Sequence, residues 1–455
     1  MFFEIAGLYF TERDLDIEKQ QLIDEGKEVG EIEREFEELK FFLKNKKVIQ
    51  FQEKIFFLLD KCQKLPHKKD YKYYEPLNFE DIKREWGNDF FEIDKKLSER
   101  KIKDKIYGGW YGRCAGCLLG KPVEGWSKGK IESFLKDTGQ FPLKFYMRND
   151  FSEKILESYG INKNAPFINN IKNMVEDDDI NYTVLALTLL EKYGFNFSKF
   201  DFAINFLQKL PVLRTCTAER ITYKNLVNLI SPENSGYYRN PYREWIGAQI
   251  RTDFYGYITP GKPERGVELA YKDASVTHIK NGVYGAIFIS AIISIAFYEK
   301  EPEKIVKYAL NYIPQKSRLA ESIKEILDYK EKGFFFEDIV NFIHKKWDEK
   351  NPHHWCHTIS NAQIVITALL WGEKDFGNSI CKAVSAGFDT DCNGATVGSI
   401  LGVMLGMENL PSKWIELLNN KVETGISGYS KTKISELARK TYKIYKKGGK
   451  ENGKS

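Results

Sequence analysis

The stretch Gly387-Phe388-Asp389-Thr390-Asp391-Cys392-Asn393-Gly394 sets two carboxylates one residue apart at the mouth of a long apolar run. Beyond it, Gly394, Gly398, Gly402 and Gly406 recur at every fourth position. Residues at that interval stack along one side of a helix. A glycine inside a helix costs about 1 kcal/mol relative to alanine, so the repeat predicts a compensating close approach by a neighbouring helix. The glycine-bearing helix is expected at the centre of its domain, with Asp389 and Asp391 held rigidly at its N-terminus.

A second acidic cluster, Glu176-Asp177-Asp178-Asp179, opens another helical run. Each cluster taken alone has a local explanation. Asp389 can cap a helix and Asp391 can favour its first turn, and the triplet can be a solvated acidic turn. Three adjacent charges exceed what a cap needs, however, and carboxylates gathered at helix starts repel one another unless a hard cation sits between them. Oxygen-only, histidine-free donors suit Mg²⁺ or a similar ion. Together the two clusters predict a shared metal site and a metal-dependent enzyme.

The 455 residues suffice for one large domain with a smaller companion, or for two of ordinary size. A hydrophobic content of 42% provides a core, and a net charge of +5 from 69 basic and 64 acidic residues does not indicate nucleic-acid binding. Only Lys446-Lys447-Gly448-Gly449-Lys450 is locally basic, and it reads as a frayed, solvated tail. The opening Met1-Phe2-Phe3-Glu4 lacks the basic and apolar segments of a secretory signal. The longest apolar stretch, Val283 to Tyr298, is shorter than the roughly 20 residues that span a bilayer. A buried core helix is expected there, and no membrane partner. Seven cysteines at irregular spacing predict free thiols and a cytoplasmic location.

Apolar positions at helical spacing (Ile32, Phe36, Leu39, Leu43, then Ile55, Phe56, Leu58, Leu59) predict two or three amphipathic helices before about residue 70. Leu65 to Pro76 has the composition of a linker, and Asn78 that of a helix cap. From Ile106 onward, glycine-punctuated apolar stretches alternate with short polar loops, with breaks at Gly194 to Ser198 and Ser231 to Gly236. The period-two alternation of half-buried strands is missing. The expected fold class is all-α, with a helical N-terminal extension over residues 1–100 and a catalytic domain over 101–455.

A small-residue helix around Gly112-Arg113-Cys114-Ala115-Gly116-Cys117 is expected to end at Gly120, since Pro122 forbids its continuation. Glu124 then stands on a constrained loop suited to a general acid or base, although an exposed loop glutamate is the plainer reading. Taken in order, this segment, the aspartate cluster and the Gly-x-Asp-Thr-Asp signature resemble the ADP-ribosylglycohydrolase family, of the dinitrogenase reductase activating glycohydrolase kind. Gly247-Ala248-Gln249-Ile250-Arg251 and Val276-Thr277-His278, the latter followed by Asn281-Gly282-Val283-Tyr284, resemble two further family segments. The resemblance runs over about residues 106 to 410.

The resemblance implies an orthogonal all-α fold and two Mg²⁺ ions, Mn²⁺ in some members, at the bottom of a cleft. It implies hydrolysis of the ribosyl N- or O-glycosidic bond that joins ADP-ribose to a protein or small-molecule acceptor. Carried over by position, Asp177, Asp178, Asp179, Asp389, Asp391 and Cys392 would be metal ligands. Glu124 and Asp178 would be catalytic, and Gly247, His278, Asn281, Gly282 and Tyr284 would lie beside the substrate. The chain departs from the family pattern at Cys392, where Thr or Ser is common, and a thiol is a poor Mg²⁺ ligand. It also departs at Asp177-Asp178-Asp179-Ile180, usually Thr-Asp-Asp-Thr, and before Gly247, where the family's Gly-Asn-Gly is missing. Hydrolysis of another glycoside or nucleoside, or ADP-ribose binding without turnover, are the alternatives.

Two other constellations carry weaker signals. Cys114 and Cys117 joined to His353, His354, Cys356 and His357 could make a zinc site, or the cysteines could simply pack while the histidines sit on a loop. The segment with Tyr242, Arg243, Trp245, Arg251, Tyr255 and Tyr257 could stack a base and pair with phosphates, or supply ordinary core and surface aromatics.

Overall fold

The computed structural model describes residues 8–44 and 51–451 of the chain. The opening residues Met1 to Glu4 lie outside that description. Helices account for nearly all of the regular structure, as the missing strand pattern predicts. Among the described residues the strands are the two-residue pair Val422–Glu423 and Lys431–Thr432, which run antiparallel.

At the centre, the helix Glu99–Gly120 packs against the signature helix Thr390–Leu405. The contact is glycine on glycine. Gly108 faces Gly402, Gly112 faces Gly398, Gly116 faces Gly394, and Gly120 faces Thr390. The pairing order shows the two helices to be antiparallel. A Cβ built on Gly116 would come within 1.9 Å of the Gly394 carbonyl oxygen, and one on Gly112 within 2.1 Å of that of Gly398. The four-residue repeat therefore exists to let two backbones touch. Its last member differs: Gly406 ends the helix at φ +81°, a left-handed conformation that glycine adopts without penalty.

This packing positions the chemistry. Antiparallel contact brings the C-terminal end of Glu99–Gly120 to the N-terminal end of Thr390–Leu405, so the loop carrying Lys121 and Glu124 lies over Asp391. The Thr390 hydroxyl donates to the Gly120 carbonyl at 3.0 Å and ties the two ends together. Pro122 is accommodated inside a short 3₁₀ turn, Lys121–Val123, before the chain turns away at Glu124. The apolar stretch from Val283 forms the helix Lys280–Ala296, which is buried from Asn281 to Ala296. Among the described residues, no helix is long and apolar enough to cross a membrane.

The N-terminal segment contains the helices Glu12–Asp24, Glu33–Lys44 and Gln52–Cys62, burying Phe36, Leu39, Leu43, Ile55, Leu58 and Leu59 as the spacing predicts. Asn78 caps the next helix, accepting from the Asp81 amide at 2.9 Å. The stretch read as a linker is exposed from Pro66 to Asp70 but packed at its end. Glu75 is buried in a two-point pair with Arg318, at 3.0 and 2.8 Å, and the Pro76 and Leu77 carbonyls accept from Tyr284 and Tyr271. The basic end read as a frayed tail continues the helix Ile434–Glu451, where Lys446 pairs with Glu99.

Candidate functional site

Asp177 is the N-cap of the helix Asp178–Tyr193; its Oδ1 accepts from the Asp179 amide at 2.8 Å. That cap leaves Oδ2 pointing away from the helix, where the Lys121 ammonium meets it at 2.6 Å. Asp389 is the N-cap residue of the signature helix but makes no side-chain capping bond. The turn before it is strained: Gly387 and Phe388 both adopt left-handed conformations, at φ +82° and +56°. For a buried phenylalanine that conformation costs on the order of 1 kcal/mol, and it aims the two aspartates inward.

The two helix starts converge. Ligand-capable atoms of Cys117, Asp177, Asp179 and Asp391 lie within 4.8 Å of one another, and so do those of Asp389, Asp391 and Cys392. Asp391 is shared by both groups. All six residues are buried, whereas Lys121 and Glu124, with side chains 24% and 39% exposed, and half-buried Asp178 form the open side. Two cations stand against the carboxylates. Arg113, fully buried, contacts Asp179 Oδ1 at 3.2 Å and Asp253 Oδ2 at 2.9 Å. Lys121 reaches Glu124 Oε2 at 2.6 Å, Asp177 Oδ2 at 2.6 Å and Asp391 Oδ2 at 3.1 Å.

These two cations do not satisfy the cluster. Asp179 Oδ2 and Asp391 Oδ1 are buried without a hydrogen-bond partner, which is costly for a carboxylate. The electrostatics agree. Burial, reinforced by Asp391, drives the Asp389 carboxyl well above the ordinary range, and burial with Asp177 does the same to Asp179. Burial and then Asp177 raise Asp178 to about 7. The Asp391 charge, followed by burial, raises Glu124 to about 8. Asp177 alone is lowered, because Lys121 outweighs its burial. A divalent cation fits this donor set: hard oxygens, buried, with excess negative charge. The thiols of Cys117 and Cys392 do not fit, because burial and the surrounding aspartates hold both protonated.

The residues expected beside the substrate are engaged inside the protein. His278 is fully buried, its Nδ1 at 2.7 Å from the Thr277 hydroxyl, and burial followed by Arg251 keeps it neutral. Asn281 donates to Glu75 at 2.8 Å and to Glu244 at 2.9 Å and accepts from the Leu319 amide. Tyr284 donates to the Pro76 carbonyl at 2.5 Å, and Gly282 lets the Arg243 carbonyl approach. Gly247 leaves room for the Glu219 carboxylate, which pairs with Arg251 at 2.5 Å. None of the five belongs to the two carboxylate groups.

The cysteines of the weaker constellation simply pack, whereas the histidines lie not on a loop but on the short helix Pro352–Cys356 and at the cap of Thr358–Trp371. Cys114 and Cys117 lie buried in the glycine-packed helix, and all seven cysteines are free. His353 and His357 gather instead with Asp24 of the N-terminal helix. The Trp245 indole N–H, which can only donate, reaches His353 Nδ1 at 3.0 Å, and the Ile359 amide reaches His357 Nδ1 at 3.1 Å. Both rings therefore present an Nε2–H, a donor aimed at Asp24 and Glu244 rather than a lone pair for zinc. Tyr242, Arg243, Trp245, Arg251, Tyr255 and Tyr257 are all buried. Arg243 binds Glu18 at 2.6 Å and Glu25 at 2.9 Å, Arg251 binds Asp273 at 2.6 Å, and Tyr242 pairs with Asp14.

Two participants were missed in the sequence. Arg113 had a usable signal, since a lone charge in a small-residue helix must find a buried counter-charge. Lys121 had none beyond lying three residues before Glu124.

A family model described as ADP-ribosylglycohydrolase matches residues 98–451. Among solved structures, the chain is similar to one described as an ADP-ribosylglycohydrolase-related protein complex. The identity is 16% and the TM-score 0.48, with 76% of this chain and 99% of that chain covered. No curated protein matches.

Proposed function

This chain belongs to the ADP-ribosylglycohydrolase family, and on that premise we propose that it is a metal-assisted hydrolase of ribosyl N- or O-glycosidic bonds in ADP-ribosylated proteins or small molecules. The observation that carries the reading is the convergence of Asp177, Asp179 and Asp391, with three of their buried oxygens, Asp177 Oδ2, Asp179 Oδ2 and Asp391 Oδ1, left without a hydrogen bond. The ligands of a divalent cation, Mg²⁺ or Mn²⁺, would be drawn from Asp177, Asp178, Asp179, Asp389 and Asp391. When bound, it would supply positive charge for vicinal ribose hydroxyls and acidify a water.

The chain's own groups do the rest. Glu124 stands at the open side of the cluster, where, without a bound cation, the Asp391 charge followed by burial raises it to about 8. It is placed to protonate the leaving acceptor atom and then to take a proton from the attacking water. The buried aspartates stabilise the positive charge that develops at the anomeric carbon as the glycosidic bond breaks. Substrate approaches from the side of Lys121, Glu124 and Asp178. Gly247, His278, Asn281, Gly282 and Tyr284 enter this proposal as supports of the surrounding wall: the side chains of Asn281 and Tyr284 are engaged, while His278 Nε2 is buried without a hydrogen-bond partner.

The test is release of ADP-ribose from ADP-ribosylated proteins, nucleic acids and small molecules, with Mg²⁺ and with EDTA. Turnover is expected with Mg²⁺ only, and Asp391→Ala should abolish it. Release of ribose from other glycosides alone would redirect the substrate assignment. Tight ADP-ribose binding by the metal-loaded chain without turnover on any substrate would overturn the enzymatic reading.

A further inference from the structure

Lys121 occupies the place where a cation is wanted. Its ammonium lies 2.6 Å from Asp177 Oδ2, 2.6 Å from Glu124 Oε2 and 3.1 Å from Asp391 Oδ2, so it draws on both helix starts and on the loop at once. It is also held there by the backbone. It is the first residue after the glycine-packed helix, Gly120 is pressed against Thr390, and Pro122 follows. From these contacts we infer that Lys121 is a built-in cation that fills one of two cation positions, so that this chain binds a single divalent ion. The inference rests on the metal-assisted reading above.

Two observations mark the remaining position. Asp391 Oδ1 is buried without a hydrogen bond, as are Asp179 Oδ2 and Asp177 Oδ2, the last met by Lys121 only as an ion pair at 2.6 Å. Asp389 lies with Asp391 and Cys392, and the Cys356 thiol approaches its Oδ2 at 3.7 Å as a weak donor. A dication brought to Asp177 Oδ2 and Asp391 Oδ2 would share its oxygens with an ammonium and be repelled by it. The other member of the Asp389 group is Cys392, a soft sulfur where a second hard ion would want oxygen. Lys121 thereby acts as a positioning residue. It holds Glu124 beside Asp391 without displacing an ion from the Asp389 and Asp391 side.

Mn²⁺ is the probe, measured by equilibrium dialysis with elemental analysis and by low-temperature electron paramagnetic resonance on the full chain. Wild type is expected to bind one Mn²⁺ with the spectrum of an isolated ion. Lys121→Met, with its fold checked by circular dichroism, is expected to bind two and show exchange coupling between them, whereas Lys121→Arg should stay at one. Two coupled ions in wild type would overturn the inference alone. So would a single ion in a folded Lys121→Met chain. No bound ion in wild type would overturn both the inference and the metal-assisted reading.

Discussion

Replacing Gly116 by alanine sets two effects of opposite sign against each other. By helix propensity alone the change stabilises, by about 1 kcal/mol. In the structure the added Cβ would come within 1.9 Å of the Gly394 carbonyl oxygen, which is backbone and has no rotamer to change. Ordinary contact begins at about 3.4 Å, so the two central helices would have to part by roughly 1.5 Å at that level. Overpacking of this kind costs about 3 kcal/mol or more, leaving a net loss of about 2 kcal/mol. In a chain of this size that lowers Tm by roughly 2–4 °C. Separation of the helices also lifts Lys121 and Glu124 off Asp391, so the rise in Tm on adding Mg²⁺ should shrink with it. The assay is thermal unfolding by calorimetry, in EDTA and in Mg²⁺. Gly129→Ala is the control: Gly129 lies in the first turn of the helix Lys128–Asp137 with nothing within 4 Å of an added Cβ, and the change should be neutral or mildly stabilising. A Gly116→Ala chain at least as stable as wild type, with an undiminished Mg²⁺ effect, would refute the close packing and its link to the site.

Glu124→Gln keeps the shape of the loop but removes the transferable proton; metal binding should persist while kcat falls by about 10²-fold or more, and an unchanged rate in steady-state assays would remove Glu124 from the chemistry. Without metal, Asp178 and Glu124 hold protons up to about 7 and about 8, whereas unfolded carboxyls release them near 4. The folded state thus binds the extra protons across that window, and stability falls as pH rises through it. Unfolding in EDTA should show a lower Tm at pH 8 than at pH 6, with Mg²⁺ raising it more at pH 8; the opposite order would contradict the charge excess. Arg243→Ala strips Glu18 and Glu25 of their buried counter-charge and should cost about 3–5 kcal/mol in denaturant titrations, whereas a cost under about 1 kcal/mol would show the N-terminal helix to be loosely attached.

What the sequence made legible was local or periodic. The four-residue glycine repeat predicts a close helix contact, the hydrophobic run from Val283 predicts a buried helix, and Asn78 predicts a cap, because each signal lies within a few turns of chain. The two acidic clusters were legible for another reason: neighbouring carboxylates are costly enough to demand a common explanation. Charge pairing across the fold left no such trace. Glu18, Glu25 and Glu75 look like solvated residues of a charged segment until Arg243 and Arg318 are seen beside them. The Glu75 pair anchors the end of the supposed linker to the helix Arg318–Glu331. Lys121 is the sharpest case. A loop lysine acquires its role only when the glycine contact brings the ends of two helices together, and no spacing in the sequence encodes that meeting.

Crystals soaked in Mn²⁺ and measured at the manganese absorption edge test most directly whether the two acidic helix starts form a cation site. Anomalous density is predicted within the aspartate cluster, beside Asp389 and Asp391. Density confined to Asp24, His353 and His357, or none at saturating Mn²⁺, would contradict the assignment.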